Sequence, residues 1–338
     1  MDLSTNYMGM TLRNPLVASS SPLTGQMGNL RALEDAGAAA VVLPSMFAEQ
    51  IEAEDARHAH LTQAGALSSP EATSYFPAQH ANSSAADHYL ALIESARAAL
   101  HIPVIASLNA GGMDGWTGFA AQMQQAGASA IELNIHFVPT DLQSSGAEVE
   151  FRYLHIVRMI KQSVQIPVAV KTGPHFSAPG HMARQLAEAG ADGLVLYNRF
   201  YQPDIDPVRL QIVHDLALSR SADMRLPLLW LAVLHGRVAP SLAASTGVQQ
   251  ADDVVKYLLA GADVVMTTSA LLTHGIDHLR TLLAGLTDWL AQRDMSHLRP
   301  MRGLLAQRNA RHPEDYERAN YIQILQGYGG SGATIARP

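Results

Sequence analysis

The chain of 338 residues is 48% hydrophobic and 16% charged, a composition that excludes bulk disorder and leaves room for one large domain or two medium ones. Lysine and arginine number 23 against 30 aspartates and glutamates, and the resulting formal charge of −7 offers no field to hold a nucleic acid. Cysteine is absent, which excludes disulfides, thiolate metal sites, iron–sulfur clusters bound by this chain and cysteine nucleophiles together.

The first 14 residues lack a basic segment leading into an apolar one, and no run of about 18 apolar residues occurs anywhere in the sequence. A cytoplasmic protein without a membrane anchor is the expectation. Eight short apolar runs then read as strands, at 16–19, 40–43, 103–108, 130–135, 167–171, 193–198, 241–245 and 263–268. Most show no alternation, as expected of strands covered on both faces. Helical patterns separate most of them, at Trp116–Gln125, 149–164, Pro179–Glu188 and 251–259. Residues 227–238 are apolar enough for a strand, but the length of the run and the following Pro240 predict a buried helix.

The tripeptide Ala-Gly-Ala recurs at 36–38, 126–128, 189–191 and 260–262, each time between a helical pattern and an apolar run. Gly37, Gly127, Gly190 and Gly261 can take the left-handed conformation that ends a helix, and the small flanking alanines let the chain turn back into a buried strand. A fifth copy at 64–66 has no such flanks. The repeat predicts βα units around a parallel sheet, and with eight strands a single (β/α)₈ TIM barrel at residues 1–300, with two smaller α/β domains as the competing arrangement. Insertions are expected after the second strand, at 49–87, and after the sixth, at 199–225, where both would serve as substrate lids. A helical extension over 301–326 and a flexible glycine-rich tail over 327–338 complete the expectation.

In such a barrel the chemistry belongs at the C-terminal ends of the strands. Here those ends are polar: Ser19, Ser107 and Asn109, Asn134, Lys171, Asn198 and Arg199, Ser245-Thr246-Gly247, and Thr267-Thr268-Ser269. The last two groups are small-residue loops suited to presenting backbone N–H groups to a phosphate. Lys171 closes an apolar strand, where a charge is expensive without a partner. It could snorkel outward, face an anionic ring, or serve as a Schiff-base amine. Asn134 and Asn198 suit a flat substrate with imide-like edges, or could tie down loops.

In their order and strand-end positions these motifs resemble the dihydroorotate dehydrogenase family of FMN-containing barrels. The likeness runs from Asn14-Pro15-Leu16-Val17-Ala18-Ser19 through Ile131-Glu132-Leu133-Asn134 and Val170-Lys171 to about Leu286. It implies FMN, with the phosphate held by Thr246-Gly247 and Thr268-Ser269 and the ring over Ala18-Ser19. Asn109 and Lys171 would meet the pyrimidine edge of the flavin, where a cation steadies the charge of the reduced ring. Asn134 and Asn198 would bind a pyrimidine-like substrate.

Departures from the family pattern concentrate on the substrate side. Phe137 stands where the family carries the Cys or Ser that removes a substrate proton, and Pro44 stands where a lysine is expected. Val248 replaces the second glycine of the phosphate loop, Arg199 replaces a small hydroxyl residue, and only Asn82 offers itself for the family's asparagine-rich loop. His136 is the nearest replacement base.

The resemblance implies an FMN-dependent oxidoreductase acting on dihydroorotate or a related cyclic amide. The competing readings are a flavin-free lyase or aldolase using Lys171, and a non-catalytic flavoprotein subunit. A soluble electron acceptor or redox partner protein, and a homodimer, are the expected partners; neither nucleic acid nor a membrane is.

Overall fold

The computed structural model describes residues 1–47, 84–109, 116–199, 203–213 and 217–317. The expected lid at 49–87, apart from its last residues, Asn82 and the tail at 327–338 lie outside them. Eight parallel strands close into a barrel: β3 (Leu16–Ala18), β4 (Ala40–Phe47), β5 (Val104–Asn109), β6 (Ala130–Asn134), β7 (Val168–Thr172), β8 (Gly193–Leu196), β11 (Ser241–Ala244) and β12 (Val264–Thr267), with β12 pairing back to β3. All eight coincide with the apolar runs read from the sequence. Gly37, Gly127, Gly190 and Gly261 have φ of +109°, +97°, +103° and +118°, so each Ala-Gly-Ala ends its helix through the left-handed turn expected of it.

Residues 225–234 form the buried helix, with Pro227 in its first turn, where a missing N–H costs nothing. The helix expected at 149–164 starts earlier, at Gly146. Ser145 accepts from the Glu148 N–H at 3.2 Å while the Glu148 carboxylate accepts from the Ser145 N–H at 2.7 Å, a reciprocal cap.

Alternation along the strands separates two cores. One set of side chains packs outward against the helices, while Val17, Val42, Ile105, Ala130, Ala169, Val195, Ala243, Val264 and Met266 fill the interior. The N-terminal end of the barrel is plugged by a hairpin, β1 (Thr5–Tyr7) with β2 (Met10–Leu12), which sequence reading missed. Its two-residue turn, Met8-Gly9, has positive φ at both positions, the geometry that suits strand twist. Met8 pushes its side chain so far into the barrel that a Cβ on Gly193 would lie 3.0 Å from it.

Two segments depart from expectation. The insertion after β8 carries an antiparallel ribbon, β9 (Asp204–Asp206) with β10 (Gln211–Val213), whose Ile205 and Ile212 face each other across the register and are exposed. The described part of the C-terminal extension is not α-helical: residues 301–312 run as successive turns ahead of a 3₁₀ turn at Pro313–Tyr316. The N–H groups of Gly303 and Leu305 donate to the carbonyls of Leu258 and Leu259, each at 2.9 Å, satisfying the end of the neighbouring helix in place of an intrahelical ladder. Among the described residues no helix is long and apolar enough to cross a membrane.

Candidate active site

A cavity of about 520 Å³ opens at the C-terminal ends of the barrel strands, within the size range of small-molecule sites. Of the residues singled out from sequence, Ser19, Asn134, Lys171, Asn198, Ser245, Thr246, Gly247, Thr267, Thr268 and Ser269 line it. Four do not. Ala18, Ser107 and Asn109 are buried within β3 and β5, and His136 lies beyond the end of β6 and outside the lining.

One end of the cavity is built by the loops after β11 and β12, stitched together by Ser219 from the return leg of the β8 insertion. The Ser219 hydroxyl lies 2.8 Å from the Ser269 hydroxyl and accepts from the Gly247 N–H at 3.2 Å. The Thr268 hydroxyl donates to the Ser19 carbonyl at 3.2 Å, and Tyr257 donates to the Thr246 carbonyl at 2.6 Å. Behind them the buried Asp253 carboxylate accepts from the Ser221 hydroxyl and from the N–H groups of Gln249 and Gln250, at 2.6, 3.1 and 3.2 Å. Thr246 and Gly247 both have positive φ, +80° and +81°, which turns the loop sharply beside the cavity. A Cβ on Gly247 would stand 2.9 Å from Met224 Cβ and 3.0 Å from the Arg220 carbonyl, so the loop closes only with glycine there. Hydroxyls and backbone donors gathered in this way are the chemistry that holds a phosphate.

The other end is built by β4 to β8. Lys171 and Glu132 are the only charged residues in the eight barrel strands. Their interior neighbours Ala130 and Ala169 fix both on the inner face, and Lys171 Nζ lies 3.7 Å from Glu132 Oε1, an ion pair too long for a hydrogen bond. Burial pushes the Glu132 carboxyl up from its ordinary range, with Lys171 pulling it partly back. Above the pair, Asn198 Nδ2 donates to Asn134 Oδ1 at 2.7 Å, fixing two amide groups side by side in the wall.

The departures from the family pattern acquire physical form here. Between Val42 and Ser45 strand β4 carries an extra residue relative to β5, a bulge at Leu43-Pro44, where proline has no N–H to give the ladder. The bulge turns Ser45 into the cavity wall, its hydroxyl 2.7 Å from that of the buried Ser107. Phe137 is absent from the lining, and its ring lies 4.0 Å beneath the Arg152 guanidinium on the helix Gly146–Ser163. Arg199 lines the cavity and donates to the Ala217 carbonyl.

Sequence reading passed over Glu132, Ser45 and Ser219. Glu132 was legible, because it shares a strand face with Asn134 two residues on. Ser45 needed the bulge, and Ser219 needed the fold of the insertion. Among the described residues no cluster of His, Asp and Glu is placed to hold a metal ion.

No protein-family model matches the chain. It is 30% identical over 195 residues to a putative dihydroorotate dehydrogenase A (fumarate) of Aeropyrum pernix, a match covering 56% of this chain and 63% of that protein. It is 25% identical over 318 residues to a dihydroorotate dehydrogenase B (NAD(+)) catalytic subunit of Thermoplasma acidophilum, covering 90% of this chain and 98% of that one. A third relative, the NAD-dependent dihydropyrimidine dehydrogenase subunit PreA of Escherichia coli, is 25% identical over 237 residues, 65% of this chain and 56% of its own length. The chain thus spans less than two thirds of the length of the Aeropyrum and Escherichia proteins. In its sequence and in its closed barrel of eight parallel strands, the chain is similar to proteins named dihydroorotate dehydrogenase.

Proposed function

We propose that this protein is an FMN-dependent oxidoreductase of the dihydroorotate dehydrogenase type, acting on dihydroorotate or a related cyclic amide. One observation carries the reading: a single cavity has the donors of Thr246-Gly247 and Thr268-Ser269 at one end and Lys171, the only cation of the eight barrel strands, at the other, beside paired amides. The residues fit the group. Its phosphate would be held by the two loops, where the sharp turn that only glycine allows at Gly247 brings them together, and its ring would lie toward Lys171. When bound, FMN supplies a hydride acceptor, the chemistry that no side chain of this chain provides.

This chain's own residues bind and orient. Lys171 sets a positive charge against the ring, and Asn134 and Asn198 offer one plane of donors and acceptors to a cyclic amide. Proton removal is where the chain differs from the family pattern. Phenylalanine accepts no proton, and a positioned general base is worth about 10²–10⁴-fold in rate. Ser45, paired with Ser107, puts a hydroxyl in the wall, and no basic group is bonded to it among the described residues.

That feature favours a second reading, a flavoprotein that exchanges electrons with a soluble acceptor or a redox partner protein without oxidising a dihydropyrimidine itself. The Schiff-base alternative is weakened by Glu132, because an ammonium held in an ion pair is a poor nucleophile. A homodimer remains part of the proposal only by analogy with barrels of this kind.

The test is to purify the protein with FMN supplied, record its flavin spectrum, and add dihydroorotate and dihydropyrimidines without oxygen. Bound flavin that bleaches supports the dehydrogenase, and bound flavin that stays yellow with every substrate supports the electron carrier. Failure to retain flavin removes both.

A further inference from the structure

We infer that Glu132 is a positioning residue for Lys171: its buried carboxylate holds the ammonium inside the barrel and offsets part of its charge, so the cavity favours an anionic ring less than Lys171 alone would. The inference rests on the FMN reading above and concerns how that site is tuned.

The barrel interior is otherwise neutral at this level, and its two charges sit on adjacent strands on the same inner face. Glu132 is 1% exposed, and neither carboxylate oxygen has a hydrogen-bond partner among the described residues. Its one charged neighbour there is Lys171 at 3.7 Å. Two phenols stand on other sides of it. Tyr7 comes from the hairpin that plugs the barrel and Tyr89 from the helix Ala85–Ala99, and the Glu132 charge adds to burial in pushing both phenols up. Tyr89 is itself engaged with the Ser107 backbone, donating to its carbonyl at 3.2 Å and accepting from its N–H at 2.8 Å.

A carboxylate placed this way is a poor device for stability. Well-packed apolar residues in place of a buried ion pair are often neutral or better for the fold. Its effect is electrostatic and local. Lys171 reaches the cavity wall while Glu132 stays below it, so anything bound above Lys171 feels the cation directly and the anion behind it. With Glu132 ionised, the site holds a neutral pair, and an anion added above it is stabilised less than it would be over a bare ammonium.

The logic also predicts how the two residues depend on each other. If Lys171 is removed, Glu132 is a buried carboxyl with no cation beside it and takes the neutral, protonated form. Glutamine in its place is then nearly isosteric and equally uncharged. Glu132→Gln should therefore matter when Lys171 is present and be silent when it is not.

The experiment measures the midpoint potential of bound FMN in wild type, E132Q, K171M and the double variant. In E132Q the preference for reduced over oxidised flavin should rise about tenfold, a positive shift of about 30 mV for a two-electron couple. K171M should shift in the opposite direction, and the double variant should match K171M. An unchanged potential in E132Q, or the same shift with and without Lys171, overturns the inference while leaving the flavin reading intact. Absence of FMN from wild type defeats the flavin reading instead, and is seen before any variant is made. Should E132Q not fold, Glu132→Asp keeps the charge but withdraws it from Nζ. It should then give a smaller shift of the same sign, and no shift overturns the proposal.

Discussion

The two ends of the cavity are built differently. At the end formed by the loops after β11 and β12, hydroxyls and amides are cross-braced through Ser219, Ser269, Gly247 and Asp253, and four backbone or side-chain donors converge on fixed partners. At the other end, β4 is bulged at Leu43-Pro44, Phe137 is turned beneath Arg152, and the paired amides of Asn134 and Asn198 stand above the single ion pair. The braced end gathers the hydroxyls and amides that a phosphate would need, whereas the bulged end differs from the family pattern at Pro44 and Phe137. The two ends of such a barrel can vary separately, because they are carried on separate loops.

The sharpest way to break this contrast is to restore what the bulged end lacks. Ser45→Cys puts a more acidic proton acceptor in the cavity wall and should raise the rate of flavin bleaching by dihydroorotate by about 10²-fold, the lower end of what a positioned proton acceptor supplies. Stopped-flow reduction measures it, and an unchanged rate would place the difference elsewhere than the missing base. At the braced end, Gly247→Ala introduces a Cβ 2.9 Å from Met224 Cβ at φ +81°. It should cost about 1–3 kcal/mol and weaken FMN retention by about 5–150-fold, read by equilibrium dialysis.

Ser219→Ala removes the hydroxyl that bridges Ser269 and Gly247, a loss of about 0.5–1.5 kcal/mol. It should loosen FMN by about 2–10-fold without altering the substrate specificity of any reduction observed. The smallest effect belongs to Arg152→Ala. Removing the cation above the Phe137 ring should lower stability by about 0.5–1 kcal/mol in thermal unfolding and leave FMN affinity unchanged. A large drop in FMN affinity would mean that the loop after β6 belongs to the cofactor end.

Much of this contrast was legible before any coordinates. The barrel strands announce themselves because both faces are covered, leaving runs such as Val168-Ala169-Val170 without alternation, and because each Ala-Gly-Ala ends a helix where the chain must turn at once into a strand. The strand-end rule then gathered Asn134, Lys171, Asn198 and the phosphate-type loops into one cavity.

What stayed hidden depends on partners distant in sequence. The hairpin around Met8-Gly9 is too short to signal itself, and its reason is the space left by Gly193. The turns after Pro300 follow no periodicity, because their N–H groups serve another helix's carbonyls. Ser219 acquires meaning only when its loop folds back onto Ser269, 50 residues away. His136, the base expected from sequence, follows the last residue of β6 by two positions yet stands outside the cavity lining.

The central claim is that one cavity binds flavin mononucleotide with its phosphate at Thr246-Gly247 and Thr268-Ser269 and its ring at Lys171. A crystal structure of the protein grown with FMN tests it most directly. The account predicts one nucleotide per chain in that orientation, with Lys171 Nζ against the pyrimidine edge of the ring. A cavity that excludes FMN under saturating conditions, or a nucleotide bound elsewhere on the chain, would contradict it.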